Sequence, residues 1–190
     1  MKQLNSEKTE IYCDGSCSKK GIGGWGVVIV KEGKIVNEYS GRNKKTTNNR
    51  MELQAAIQSL KSLSKDERVV IYSDSQYVIN GICKWIHIWQ KRKWKTTKGM
   101  SVLNRDLWEQ LYLLNKLLRP QWQWIRGHIG NIFHDRADEL GRVNEPKPLE
   151  SNIKISDKKL EKLAIILNED KGYLQRFKIY TPKKYYLNRR

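Results

Sequence analysis

Three cysteines in 190 residues, odd in number and never in CxxC spacing, argue against a disulfide framework and offer no zinc site. No apolar run approaches the ~20 residues of a membrane helix. The opening MKQLNSEKTE lacks the apolar centre of a secretory signal. Acidic side chains are scarce: 20 Asp and Glu face 37 Lys and Arg, a formal charge of +17, which points to a polyanionic partner. Proline is scarce too, and two of the four fall together at Asn144-Glu-Pro-Lys-Pro148, a linker signal. Against these shortages stand seven Trp and a 38% hydrophobic fraction, enough to bury a core and to exclude a disordered chain. The expectation is a reduced, cytoplasmic protein without membrane association.

The linker divides the chain into a domain at 1–145, with 25 basic and 15 acidic residues, and a 146–190 extension, with 12 and 5. In the first part, strand-like runs precede helical ones. Thr9–Ser16 alternates, Trp25–Lys31 is rich in β-branched residues, and Glu32-Gly33-Lys34 reads as a tight turn into Ile35–Ser40. Asn48–Leu63 has helical spacing with Asn48 or Asn49 as cap, and Val69–Tyr72 is a short buried strand. Helices are expected at Ser75–Asn80, around Trp85–Lys93, at Asp106–Leu118 and at His134–Val143, with a strand at Gln121–Arg126. Three strands followed by alternating helices and strands predict an α/β protein with a mixed sheet: an antiparallel meander extended by parallel strands.

Four acids fall where that architecture converges. Asp14 and Asp74 end the first and fourth strands, which as parallel neighbours open onto one crevice. Glu52 lies early on the following helix, and Asp138 lies on the last one. Unpaired carboxylates brought together repel unless protonated or bridged by cations. Hard oxygen donors favour Mg²⁺, and two such ions about 4 Å apart suit phosphodiester hydrolysis. Acids at strand ends also cap helices and solvate loops, so spacing alone leaves both readings open.

The segments Tyr12-Cys-Asp-Gly-Ser-Cys17, Thr46-Thr-Asn-Asn-Arg-Met-Glu-Leu53, Tyr72-Ser-Asp-Ser-Gln-Tyr-Val78 and Arg136-Ala-Asp-Glu-Leu140, in this order, resemble type I ribonuclease H. Trp85-Ile-His87, Trp94-Lys-Thr96, Asp106-Leu-Trp108 and Trp124-Ile-Arg-Gly-His128 extend the resemblance over about residues 9–143. It implies a ribonuclease H-like fold, a five-stranded mixed sheet with its first three strands antiparallel, flanked by helices. It implies a monomeric endoribonuclease that cuts the RNA strand of RNA–DNA hybrids, leaving 5′-phosphate and 3′-hydroxyl ends. Asp14, Glu52, Asp74 and Asp138 would hold two Mg²⁺ ions, with Mn²⁺ a possible substitute. His128 matches a mobile-loop histidine associated with proton transfer or product departure. Gly15, Asn48, Asn49 and Gln76 would line the minor groove of the hybrid. Lys45, Thr47 and Asn104 match a pocket for a DNA phosphate, with Lys45 where Arg is common.

Lys84–Lys98 carries six basic residues and no acid, interleaved with Trp85, Trp89 and Trp94. It matches the family's basic protrusion, in which charge tracks a backbone and rings meet sugars or bases. Trp85 and Trp89, at i and i+4, share a face and also suit a core. Trp25, Trp108, Trp122 and Trp124 read as core or sheet-face residues. The loop after Cys17 is one residue short of the family pattern, and His134 stands where Asn is frequent, readable as a proton carrier or a plain neighbour of a helix cap. Cys13 and Cys17 read as small packing residues.

The extension has Leu160, Leu163, Ala164 and Leu167 on one stripe, predicting a helix over about 157–170. Its last 20 residues hold seven basic and no acidic side chains. That pattern suits either added hybrid affinity or a solvated terminus docking one helix. Two other classes compete with the whole reading: a non-catalytic hybrid-binding module, and another nuclease of the same superfold, such as a junction resolvase or integrase core.

Overall fold

The computed structural model describes residues 8–63 and 68–142. The linker, the extension and the helix expected at 157–170 lie outside the described residues. Five strands form one sheet in the order β3-β2-β1-β4-β5: β1 (Thr9–Cys17), β2 (Ile22–Lys31), β3 (Lys34–Lys44), β4 (Val69–Ser73) and β5 (Gln121–Trp124). The first three pair antiparallel, while β4 joins β1, and β5 joins β4, in parallel. This is the mixed sheet that the pattern of elements predicts.

The meander is longer than its β-branched runs. Cys17 pairs with Gly23 and Ile22 with Lys44, so Asp14 lies within β1 rather than at its end. Gly23, Gly24 and Gly26 are poor strand formers, but they are the places where helices press on the sheet. A Cβ at Gly26 would overlap the Ala137 carbonyl, and one at Gly23 the Met51 side chain. Packing overrides propensity there.

Two helices cover opposite faces. The first, α1 (Asn48–Lys61), buries Met51, Leu53, Ala55, Ala56, Ile57 and Leu60 against β1 and β2. Its cap is Thr47, whose hydroxyl accepts from the Arg50 amide, rather than either asparagine. On the other face Tyr12, Val28 and Val30 pack with Ala137 and Leu140 of α5 (Ile132–Gly141). Between β4 and β5 the chain runs through α2 (Gln76–Asn80), a π-helical turn at Gly81–Trp85 and α3 (Ile86–Lys91), one continuous rod where two separate helices are expected. It then forms α4 (Arg105–Leu118), which packs on α1. Among the described residues no helix is long and apolar enough to cross a membrane.

Candidate active site

Tyr12 and Tyr72 are the last register pair between β1 and β4. Asp14 stands two residues further on in β1, so the side-chain period of two sends it to the face that α5 covers, and Asp74, one residue past β4, meets His134 of α5 there. Glu52 arrives from α1 on the other face. It gets there because Gly15 has no side chain: a Cβ would overlap the Met51 carbonyl carbon and the Glu52 amide nitrogen. With the helix pressed against the strand, carboxylate oxygens of Asp14, Glu52 and Asp74 lie within 4.8 Å of one another.

The cluster is electrostatically loaded. Asp14 is 7% and Glu52 8% exposed. Burial, then the charges of Asp74 and Asp138, push the Asp14 carboxyl up to about 7, opposed by His134 and the Gly15 amide. Burial and the charges of Asp14 and Asp74 hold Glu52 well above the ordinary range. Its Oε1 accepts from Asn48 Nδ2 at 3.4 Å, and its Oε2 is buried without a partner. Burial also pushes Asp74 upward, but the hydrogen bond and charge of His134 outweigh it and hold that carboxyl below the usual value. Two carboxyls that resist ionising, one of them with an orphaned oxygen, beside a third that ionises readily, suit a divalent cation. Hard oxygen donors of this kind prefer Mg²⁺ or a similar ion.

Asp138 stands at the edge of the pit and outside the 4.8 Å set. Its Oδ2 accepts from Arg142 Nη2 at 2.6 Å, and His128 Nδ1 lies 3.9 Å away. His128 occupies the β5–α5 loop at φ 55, its side chain 76% exposed. In the same loop Gly127 approaches Asp74 so closely that a Cβ would overlap its Oδ2. From the helix side, His134 places Nε2 3.3 Å from that oxygen. His134 is 2% exposed, so its ring has almost no contact with solvent, while its amide donates to the Asn131 cap as a neighbour of the helix start does.

The residues matched to substrate contacts line one flank. Gly15, Asn48, Asn49 and Gln76 fall on β1 and the first turns of α1 and α2, the last three exposed. Lys45 and Thr47 lead into α1, and Lys45 has φ 57. Across from them Asn104, also left-handed at φ 57, donates to the Tyr77 hydroxyl. Arg50, which motif matching passed over, joins the two sides. Its guanidinium is bidentate on Asp106 at 2.7 and 3.0 Å and donates to Asn104 Oδ1 at 3.4 Å. So exposed a pair contributes about 0–1 kcal/mol, and its consequence is position rather than stability. Trp85 and Trp89 are half-buried in a ring cluster with Tyr77 and Trp108, centroids 5.3–6.2 Å apart. Trp94 is buried edge-on to Tyr112. Of the Trp residues read as core or sheet-face, Trp108 is fully buried. Trp124 is 44% exposed on β5, its Nε1 donating to the Asp74 carbonyl at 3.0 Å.

Residues 6–144 match the family model for RNase H. The chain is 46% identical over 137 residues to a ribonuclease H of Geotalea uraniireducens, covering 72% of this chain and 92% of that one. It superimposes with a TM-score of 0.66 on LC9-RNase H1, a type 1 RNase H with the type 2 active-site motif, at 25% identity over 85% of this chain and 87% of that one. LC11-RNase H1 in complex with RNA/DNA hybrid shares the fold, with a TM-score of 0.51 at 22% identity over 70% and 93% of the two chains.

Proposed function

The chain belongs to the RNase H family, and on that premise we propose that it hydrolyses the RNA strand of RNA–DNA hybrids at the acidic pit, with Mg²⁺ as its ion. The observation that carries the reading is the mutual approach, within 4.8 Å, of carboxylate oxygens from Asp14, Glu52 and Asp74. A non-catalytic hybrid-binding module has no use for so costly an assembly.

Asp14 and Asp74 would hold the cations jointly, with Glu52 and Asp138 each completing one site. Divalent cations bound there supply the Lewis acidity and charge neutralisation that in-line displacement at a phosphodiester requires. The chain's own groups do the rest. Asn48, Asn49, Gln76 and the Gly15 backbone face the 2′-hydroxyls of the RNA strand across a shallow minor groove. Lys45, Thr47 and Asn104 take a phosphate of the DNA strand, with Arg50 and Asp106 fixing the distance between the α1 and α4 sides of that pocket. Lys45 offers a point charge there, not a bidentate fork. The protrusion at 84–98 presents its cations to the backbone, while Trp85 and Trp89 each give one ring face to the core and retain part of their surface for the substrate. His128, exposed and near Asp138, is placed to carry a proton between the reacting phosphate and solvent.

A substrate panel tests this reading. Labelled RNA–DNA hybrid, duplex RNA, duplex DNA and a four-way junction are each incubated with Mg²⁺. Internal cleavage confined to the RNA of the hybrid, with 5′-phosphate ends, is expected. Cutting of the junction or of duplex DNA would instead favour another nuclease of the superfold.

A further inference from the structure

We infer that His134 is a positioning residue for the cation site, acting through Asp74. The inference rests on the reading of the acidic pit as a cation site and adds a member that the four carboxylates do not include.

His134 lies in the first turn of α5, where Asn131 Oδ1 accepts from the amides of both Phe133 and His134 at 3.1 Å. That cap fixes the helix start and, with it, the imidazole beneath the sheet's end. Its Nε2 stands 3.3 Å from Asp74 Oδ2. An ionised carboxylate only accepts, so the nitrogen that faces it carries the hydrogen. The same oxygen is walled by Gly127, and the Asp74 backbone carbonyl is tied down by Trp124 Nε1 at 3.0 Å. Asp74 is thus restrained at its main chain, along one side of its carboxylate and through a donated hydrogen bond. Carboxylate torsions are otherwise broad, and these restraints set the plane in which Asp74 offers its lone pairs to the pit.

Packing alone does not account for this histidine. Its Nδ1 is buried without a partner, a cost that an apolar side chain of similar volume would avoid. Proton delivery does not account for it either, because the ring is 2% exposed. What remains is orientation of a ligand, the task for which buried donors behind metal-binding groups are retained.

The test uses the whole protein and Mn²⁺ alone as the probe, with free Mn²⁺ counted by electron paramagnetic resonance in the absence of nucleic acid. His134→Ala is expected to weaken Mn²⁺ binding by about 10- to 100-fold. The Mg²⁺ midpoint for hybrid cleavage rises by a similar factor, and KM for the hybrid at saturating Mg²⁺ stays unchanged. His134→Gln, which restores an N–H donor, recovers most of the loss. His134→Leu, which fills the space without a donor, behaves as His134→Ala does and decides the matter if the alanine variant fails to fold. Binding of Mn²⁺ by the Leu or Ala variant within twofold of wild type overturns the inference, as does equal impairment in the Gln variant. A wild-type protein that takes up no Mn²⁺ would instead overturn the cation-site reading itself.

Discussion

Asp14, inside β1, and Asp74, one residue past β4, each stand two residues beyond the Tyr12–Tyr72 pair that closes the ladder between those parallel strands. Register therefore brings together two like charges that are 60 positions apart in the chain. The fold bears the repulsion, and the consequences are measurable.

The first consequence is a pH dependence. Asp14 titrates at about 7 in the folded protein, against roughly 3.9 when unfolded. Between those values the folded chain holds a proton that the unfolded chain has lost. Its contribution to stability is present at low pH and disappears as the pH rises through about 7. In EDTA, urea unfolding of the wild type should therefore give a falling stability from pH 5 to 8. Asp14→Asn should flatten this slope and stabilise the cation-free protein at pH 8 by roughly 1–4 kcal/mol, at about 1.4 kcal/mol per pKa unit. A steeper slope in the variant would contradict the assignment. Cleavage by Asp14→Asn should be lost while hybrid binding persists.

Two glycines should separate folding from chemistry. At Gly15 a Cβ meets backbone of α1, so Gly15→Ala is expected to cost about 2–4 kcal/mol of stability. At Gly127 the atom that a Cβ would overlap is Asp74 Oδ2, the far end of a side chain rather than backbone. Gly127→Ala should therefore unfold within about 1 kcal/mol of wild type while its cleavage rate falls at least tenfold. Equal thermal and kinetic losses in both variants would contradict the argument.

Lys45 provides a test of the phosphate pocket. Lys45→Ala should weaken hybrid binding and reduce the slope of log K against log salt by about 1, the signature of one lost phosphate contact. An unchanged slope would remove Lys45 from the pocket.

The extension is tested in the same way. Residues 171–190 carry seven basic and no acidic side chains. We propose that 146–190 adds phosphate contacts, so its deletion should lower both hybrid affinity and the salt slope. A slope that survives deletion leaves the extension without a role on nucleic acid.

How much of this could be read from the chain depends on how local each signal is. The order of elements, the mixed sheet and the positions of Asp14, Glu52 and Asp74 are carried by short segments whose residue types suffice to mark them. Thr47 taking the cap from Asn48 is a one-residue shift between adjacent residues that can both cap. The alternation over Thr9–Ser16 already reaches past Asp14, but the start of β2 at Ile22 has no local cue, because Gly23 and Gly24 look like loop residues until α1 and α5 press against them. Arg50 with Asp106, and His134 with Asp74, are pairs 56 and 60 positions apart. Only the packing of α1 on α4, and of α5 on the sheet, brings them into contact. A buried His134 reads in sequence like any polar residue in a helix's first turn.

Hybrid cleavage should depend on cations gathered by this pit. The most direct measurement follows cleavage of a labelled hybrid by protein stripped with EDTA and then titrated with Mg²⁺. No cutting in chelator and saturable recovery on titration are expected, with recovery abolished in Asp14→Asn. RNA-strand cleavage that continues at full rate in EDTA would contradict that dependence.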